Sequence, residues 1–348
     1  MRPWVSWMDL FIRRISAVML IIGVSAVAVP GIANGASPTP VTIGQSFVSP
    51  AAAAFWVARD RGFFAKYGLD VKIVLITGST QAIQALLAGE NQVMLGAPAQ
   101  GISANAAGAD LISIATTGPN MPYLLVTRPE IRSAADLKGK RLGTSSAGLS
   151  ADRVALLIAL KHLKLDPQRD NIIFIITGTQ SQRVQALAAG RIDASVNDPL
   201  QRAIAERLGM TVLIDLSKLE IPWDHDVVLL QRQFAKSNPG VVEALLKGYL
   251  EASAFILDPA NKRAVLPILA KELKLDKEED IELAYNLTIS LYVVKKPYPS
   301  MKAARALVEA VQSDFPQFSK VNLETYIDSS FLKKLDESGF IDQLYQKR

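Results

Sequence analysis

Residues 77–89 read Thr77-Gly-Ser-Thr-Gln-Ala-Ile-Gln-Ala-Leu-Leu-Ala-Gly89 and are followed by the apolar run Val93-Met94-Leu95. Residues 177–190 read Thr177-Gly-Thr-Gln-Ser-Gln-Arg-Val-Gln-Ala-Leu-Ala-Ala-Gly190 and are followed by Ile192-Asp193-Ala194-Ser195-Val196. Each segment has the pattern strand, polar glycine-containing turn, helix, glycine stop, strand. Two copies predict two similar α/β units, and two facing units of this kind usually hold something between them. The copies differ by a one-residue slip, so this is a structural echo and not a tandem array.

The flanking sequence extends the pattern. A strand is expected over 41–44, ending in the polar loop Gln45-Ser46-Phe47-Val48-Ser49-Pro50. A helix over 51–66 follows, stopped by Gly68, and then a strand over 69–76 that is apolar on both parities, as buried parallel strands are. Further strands are expected over 111–115, 123–127, 141–144, 171–176, 211–216 and 227–230, separated by helices over 96–107, 151–163 and 200–208. From Asn238-Pro239 onward the periodicity is helical, with candidates over 241–257, 262–273, 278–290, 301–314 and 323–335. Strands alternating with helices predict α/β architecture with mostly parallel sheets and a helical C-terminal tail. The expected division is a first lobe of 40–127 plus 227–348 and a second lobe of 128–226, joined by two crossings.

Composition narrows the function. The chain has 348 residues, 49% apolar and 20% charged, and contains no cysteine. That excludes disulfides, thiolate metal sites, cysteine nucleophiles and a lipid-modified N-terminal cysteine. Residues 1–36 have the form of a secretory signal: Arg13-Arg14, an apolar core over 15–29, the break Pro30-Gly31, then small residues to Ala36. An uncleaved anchor is the other reading, and the apolar core is short for a membrane span. The net charge of +5 is spread along the chain. No basic stripe with interleaved aromatics occurs, so nucleic acid is not an expected partner.

Several stretches resemble one family. Ala58-Arg-Asp-Arg-Gly62-Phe-Phe-Ala-Lys-Tyr-Gly68-Leu-Asp-Val71 resembles the A-x-x-x-G-F-F-x-x-x-G-L-x-V signature of the nitrate/sulfonate/taurine substrate-binding proteins of ABC transporters, the SsuA/THI5-like (NMT1) group. Leu86-Leu-Ala-Gly89, Asp136-Leu-Lys-Gly-Lys-Arg-Leu-Gly143 and Ala186-Leu-Ala-Ala-Gly190-Arg-Ile-Asp193-Ala194 match further patterns in order. The resemblance implies the type II periplasmic-binding-protein fold, with two lobes around a ligand cleft. It also implies a periplasmic location and an ABC permease with its ATPase as partner. Within the signature, Gly62 and Gly68 read as turns, and Phe63 and Phe64 as core that buries a helix end against the sheet.

In open α/β sheets a ligand sits at the carboxyl ends of the strands, near helix N-termini whose N–H groups lack partners. The loops placed there are Gln45-Ser46-Phe47, Gly78-Ser79-Thr80, Ala97-Pro98, Ser145-Ser146, Gly178-Thr179 and Asn197-Asp198. Their amides and hydroxyls could hold a small anion such as a sulfonate, nitrate or organic acid without a buried arginine. An amine-bearing ligand such as taurine would favour Asp198 as its partner. Each polar residue could equally be a plain helix cap. Trp223-Asp224-His225, near a crossing, could reach the cleft, and for Trp223 the other reading is packing at the hinge.

Catalytic chemistry is hard to find. His162 reads as a surface residue. His225 stands between Asp224 and Asp226, a conceivable but weak metal constellation. No HExxH, GxSxG, Walker or GxGxxG spacing occurs. The expected function is therefore a monomeric, cofactor-free solute-binding protein that is not an enzyme. The alternatives are a ligand-sensing subunit for a membrane signalling partner or a pyrimidine-pathway binding protein or enzyme.

Overall fold

The computed structural model describes residues 37–346 apart from Gly78, Asn120 and Asp314, with Ser79 described by its backbone. The expected secretory signal lies outside these residues. Ten strands form two five-stranded sheets: β1 (Thr39–Gln45), β2 (Leu69–Leu75), β3 (Val93–Gly96), β4 (Leu111–Thr116), β5 (Leu124–Thr127), β6 (Arg141–Thr144), β7 (Ile173–Ile176), β8 (Ala194–Asn197), β9 (Thr211–Asp215) and β10 (Val227–Gln231). The first sheet has the order β2-β1-β3-β10-β4 and the second β7-β6-β8-β5-β9. The echoed segments occupy matching places, as β2–helix Ser79–Ala88–β3 and β7–helix Gln180–Ala188–β8.

The sheets are less parallel than the sequence suggests. β1 runs parallel to β2 and β3, and β6 runs parallel to β7 and β8. β10 is antiparallel to both β3 and β4, and β5 is antiparallel to both β8 and β9. Each sheet thus takes its fourth strand from a crossing, and that strand enters against the direction of its neighbours. This also moves a boundary. Leu124–Thr127, expected in the first lobe, belongs to the second sheet. The crossing runs through residues 117–123, and the return runs through 220–226. The two crossings are bonded side by side, Thr117 N–H to the Asp226 carbonyl at 2.8 Å and His225 N–H to that of Gly118 at 2.9 Å.

The expected helix over 51–66 is broken into a 3-10 turn Pro50–Ala52 and helices Ala53–Asp60 and Phe63–Lys66. Gly62, at φ 74°, makes the break. Phe64 is buried in the same core as Val41, Ile43 and Leu69 of the sheet and also meets helix Pro239–Leu257 closely: a Cβ on Gly248 would lie 2.5 Å from the Phe64 ring. Phe55 stacks on Tyr249 of the same helix, ring centroids 4.5 Å apart. The expected helix over 323–335 is two pieces, Leu323–Tyr326 and Ser330–Glu337, with Ile327 bridging to Ser113 of β4.

The tail does more than complete the first lobe. Helix Met301–Val311 contributes Leu307, Val308 and Val311 to the same apolar cluster as Leu156, Leu157 and Leu160 of helix Ala151–His162. Arg207, in helix Pro199–Arg207 of the second lobe, meets Asp280 of helix Glu278–Leu287 at 2.6 Å. The tail therefore clasps both sheets.

Candidate functional site

A cleft opens where the two sheets' loops meet, with about 70 Å³ of room for the centres of water-sized groups. That exceeds the need of one water several-fold. The first lobe contributes Ser46, Phe47, Thr77, Ala97 and Gln100, and the second Ser145, Asp152, Gly178, Thr179, Gln180 and Arg183. The crossings contribute Tyr123, His225 and Asp226.

Six of the expected residues line this space: Ser46, Phe47, Ala97, Ser145, Gly178 and Thr179. The others stand elsewhere for identifiable reasons. Gln45 holds the loop from behind, donating to the Phe47 carbonyl and accepting from Trp56 Nε1 at 2.9 Å. Pro98 is the first residue of helix Pro98–Ala106, and its carbonyl accepts from the Tyr326 hydroxyl. Thr80 is exposed on its helix, and Ser146 lies outside the lining. Asn197 is buried, accepting from Ser195 Oγ at 2.6 Å. Asp198 caps helix Pro199–Arg207, accepting from Gln201 N–H at 2.9 Å and from Gln180 Nε2 at 3.0 Å. Trp223 packs in the core. Gly78 and the Ser79 side chain lie outside the described residues.

Several loop donors are engaged within the protein, whereas Ser150 Oγ and Arg183 Nε at the cleft are buried without a hydrogen-bond partner among the described residues. Gln100 Oε1 takes Ala97 N–H at 3.1 Å, and Gln182 Oε1 takes Thr179 N–H at 2.8 Å. Asp152 takes both Ser145 N–H at 2.7 Å and Ser145 Oγ at 2.5 Å. Ser46 Oγ donates to the Leu95 carbonyl at 3.1 Å. These bonds satisfy helix and strand ends as capping does. They leave lone pairs, rather than protons, available at Ser46 and Ser145.

A buried arginine is present after all. Arg183 gives Nη1 to the Gly178 carbonyl at 2.9 Å and Nη2 to that of Val196 at 3.1 Å. Asp152 lies 3.7 Å from it. The sequence held a signal for this. Aligned on Gln81 and Gln182, the echoed helices put Arg183 where the first copy has Ala82.

The crossing residues carry the remaining chemistry. His225 lies between Tyr123 and Tyr292, with ring centroids at 5.2 and 5.0 Å. Its Nε2 is 3.4 Å from Asp226 Oδ2. Burial pushes the imidazole down to about 3, so at neutral pH it carries no charge and the contact is not an ion pair. Burial pushes the Asp226 carboxyl well up. Asp224 lies behind the cleft. Its carboxylate accepts from Ser300 N–H at 2.8 Å, and burial raises it to about 6. Among the described residues, no group of three or more His, Asp or Glu is arranged to hold a metal.

Two α/β lobes, exchanged strands and a polar cleft at strand ends define the class of periplasmic-binding-protein folds. A sequence model described as NMT1/THI5 like matches residues 49–262, and the chain belongs to that family. It is 29% identical over 226 residues to a binding protein of Brucella abortus strain 2308, covering 64% of this chain and 67% of that one. The nitrate-binding protein NrtA of Synechocystis PCC 6803 superposes with a TM-score of 0.73 at 14% identity, over 89% of this chain and 91% of its own. The aliphatic sulphonate-binding protein SsuA of Escherichia coli gives 0.67 at 21% identity, over 84% and 92%. The fold alone is shared with a desulfurization enzyme, DSZB, at a TM-score of 0.57 and 17% identity.

Proposed function

We propose that this chain is the periplasmic solute-binding component of an ABC importer. It captures one small polar solute by closing its two lobes about the crossings and hands it to a permease driven by a cytoplasmic ATPase. The observation that carries this reading is the cleft lined from both sheets and from both crossings. A ligand that touches all three favours the closed arrangement over the open one, and that difference in affinity drives closure. The family assignment supports the same reading.

The test is a thermal-shift screen of the secreted chain against nitrate, sulfonates, carboxylates, amino acids, amines and pyrimidines, followed by small-angle scattering of any hit. The expected result is one solute class that raises Tm and reduces the radius of gyration. Absence of a hit in every class, or a hit that is chemically converted, would remove the transport reading.

A further inference from the structure

We propose that the cleft selects a solute bearing a positively charged, N–H-donating nitrogen, with Asp226 as its specificity-determining partner. This rests on the solute-binding reading above and names the ligand's chemistry. The first support is charge. The cleft contains two carboxyl groups, Asp152 and Asp226, and one guanidinium, Arg183. Arg183 has both terminal nitrogens on backbone carbonyls and lies beside Asp152. Among the described residues, the neighbours of Asp226 are the uncharged His225 imidazole and the tyrosines Tyr123 and Tyr292. Burial holds the Asp226 carboxyl well above the usual carboxylate range, so the empty cleft keeps it protonated, and a cationic ligand would let it ionise.

The second support is hydrogen-bond polarity. Ser46 and Ser145 direct their protons into the protein, and the amides of Ala97 and Thr179 are capped by glutamines. Those four positions therefore present acceptors to a ligand that brings donors, while the unpartnered Ser150 Oγ and Arg183 Nε remain for an acid group on the same ligand. The third support is the aromatic lining. Phe47 and Tyr123 border the same space as Asp226, and aromatic rings beside a carboxylate suit a desolvated ammonium or amidinium. Burial of the ligand's charge against Asp226 strengthens the pair, because little water is left to screen it.

Matched pairs decide the matter in calorimetry on the secreted chain: taurine against ethanesulfonate, 4-aminobutyrate against butyrate, and 4-aminopyridine against pyridine. The expected result is that the aminated member of at least one pair binds, and binds at least tenfold tighter than its partner. Asp226→Asn should remove that preference while leaving Tm within a few degrees. Phe47→Leu, which leaves every charge in place, should weaken the aminated ligand several-fold, giving a second reading if Asp226→Asn fails to fold. Equal or tighter binding of the unaminated members, undiminished amine binding by Asp226→Asn, or no binding by any aminated member would overturn the proposal. An ethanesulfonate complex that closes the lobes would overturn it while leaving the transport reading intact.

Discussion

Ala82 and Arg183 occupy the same place in the two echoed helices. Each follows a glutamine, Gln81 or Gln182, and precedes a similar run, Ile83-Gln84-Ala85-Leu86 or Val184-Gln185-Ala186-Leu187. Both are buried. Ala82 adds only packing, whereas Arg183 ties the Gly178 loop, the end of β8 and, through Asp152, the Ser145 loop into one charged network. One supersecondary unit has thus been used twice for different tasks. The first lobe offers the cleft a neutral rim of hydroxyls and an aromatic. The second offers a rim held in place by buried charge, and such a rim is sensitive to the loss of any one member.

The strongest way to break this contrast is to remove the arginine. Arg183→Met leaves two backbone carbonyls and a buried carboxylate without their partner. Urea unfolding is expected to show a loss of about 3–5 kcal/mol. Ala82→Gly in the first lobe should cost only about 1 kcal/mol, the ordinary helix penalty. Asp152→Asn combined with Arg183→Met should recover part of the larger loss, since the two sites share a network. A loss under about 1 kcal/mol for Arg183→Met would mean that water replaces the guanidinium and that the lobes do not differ in this way.

The crossings provide a pH-dependent comparison. The Asp224 carboxyl is raised to about 6 in the folded chain, chiefly by burial and against the pull of Ser300 N–H. A carboxyl raised by folding is protonated more readily in the native state. Its contribution is favourable below its unfolded value and is lost as pH rises through about 6. Above that range the buried charge costs up to about 3 kcal/mol. Asp224→Asn keeps an oxygen for Ser300 N–H and carries no charge. It should therefore raise Tm at pH 8 and leave it nearly unchanged at pH 4. An equal effect at both values would assign the change to packing instead.

Much of the architecture was readable because it rests on local signals. The echo, the alternation of strand and helix, and glycines such as Gly62 each report on neighbours within a few residues. What failed to read was long-range. Leu124–Thr127 looks like any buried strand, and nothing local says that it pairs with β8 and β9 rather than with β4. Phe64 announces burial but not the Gly248 notch that receives it. The site split along the same line. Loop residues at strand ends were found because position alone selects them. Asp226 reads only as part of a weak metal constellation and His225 as a crossing residue within reach of the cleft, because the place of His225 between tyrosines depends on the second crossing and on Tyr292 in the tail. Donors were overcounted for a related reason. Gln100 and Gln182 stand where a capping box puts glutamine, and reading them as caps would have shown the amides of Ala97 and Thr179 to be taken.

Those two glutamines allow a finer comparison between the lobes. Each fills the space beside a glycine, where a Cβ would lie 2.3 Å from Gln100 Oε1 at Gly96 and 2.2 Å from Gln182 Oε1 at Gly178. Gln100 is buried, whereas the Gln182–Thr179 bond lies at an exposed position. Gln100→Ala should then cost about 2 kcal/mol, because Ala97 N–H is left without a partner away from water. Gln182→Ala should cost less than about 1 kcal/mol, since water can take over at Thr179. Chemical denaturation of the two variants ranks them directly. The reverse order would place the better solvated rim on the first lobe.

The smallest expected effect concerns what joins the lobes. The Arg207–Asp280 pair ties the second lobe to the tail, and Arg207 is partly exposed, so the pair is worth at most about 1 kcal/mol. If it forms only when the lobes close, its energy belongs to the closed state alone. Arg207→Gln would then weaken ligand affinity by up to about fivefold. The change should fall on the dissociation rate, because the encounter with the open form is unaffected. The stability of the unliganded chain should then be unchanged, so calorimetry and stopped-flow must be read together. An unchanged dissociation rate alongside a lowered Tm would show that the pair persists in the open state. The tail would then follow the second lobe through the motion, and closure would be a sliding of helices Met301–Val311 and Glu278–Leu287 against the first lobe.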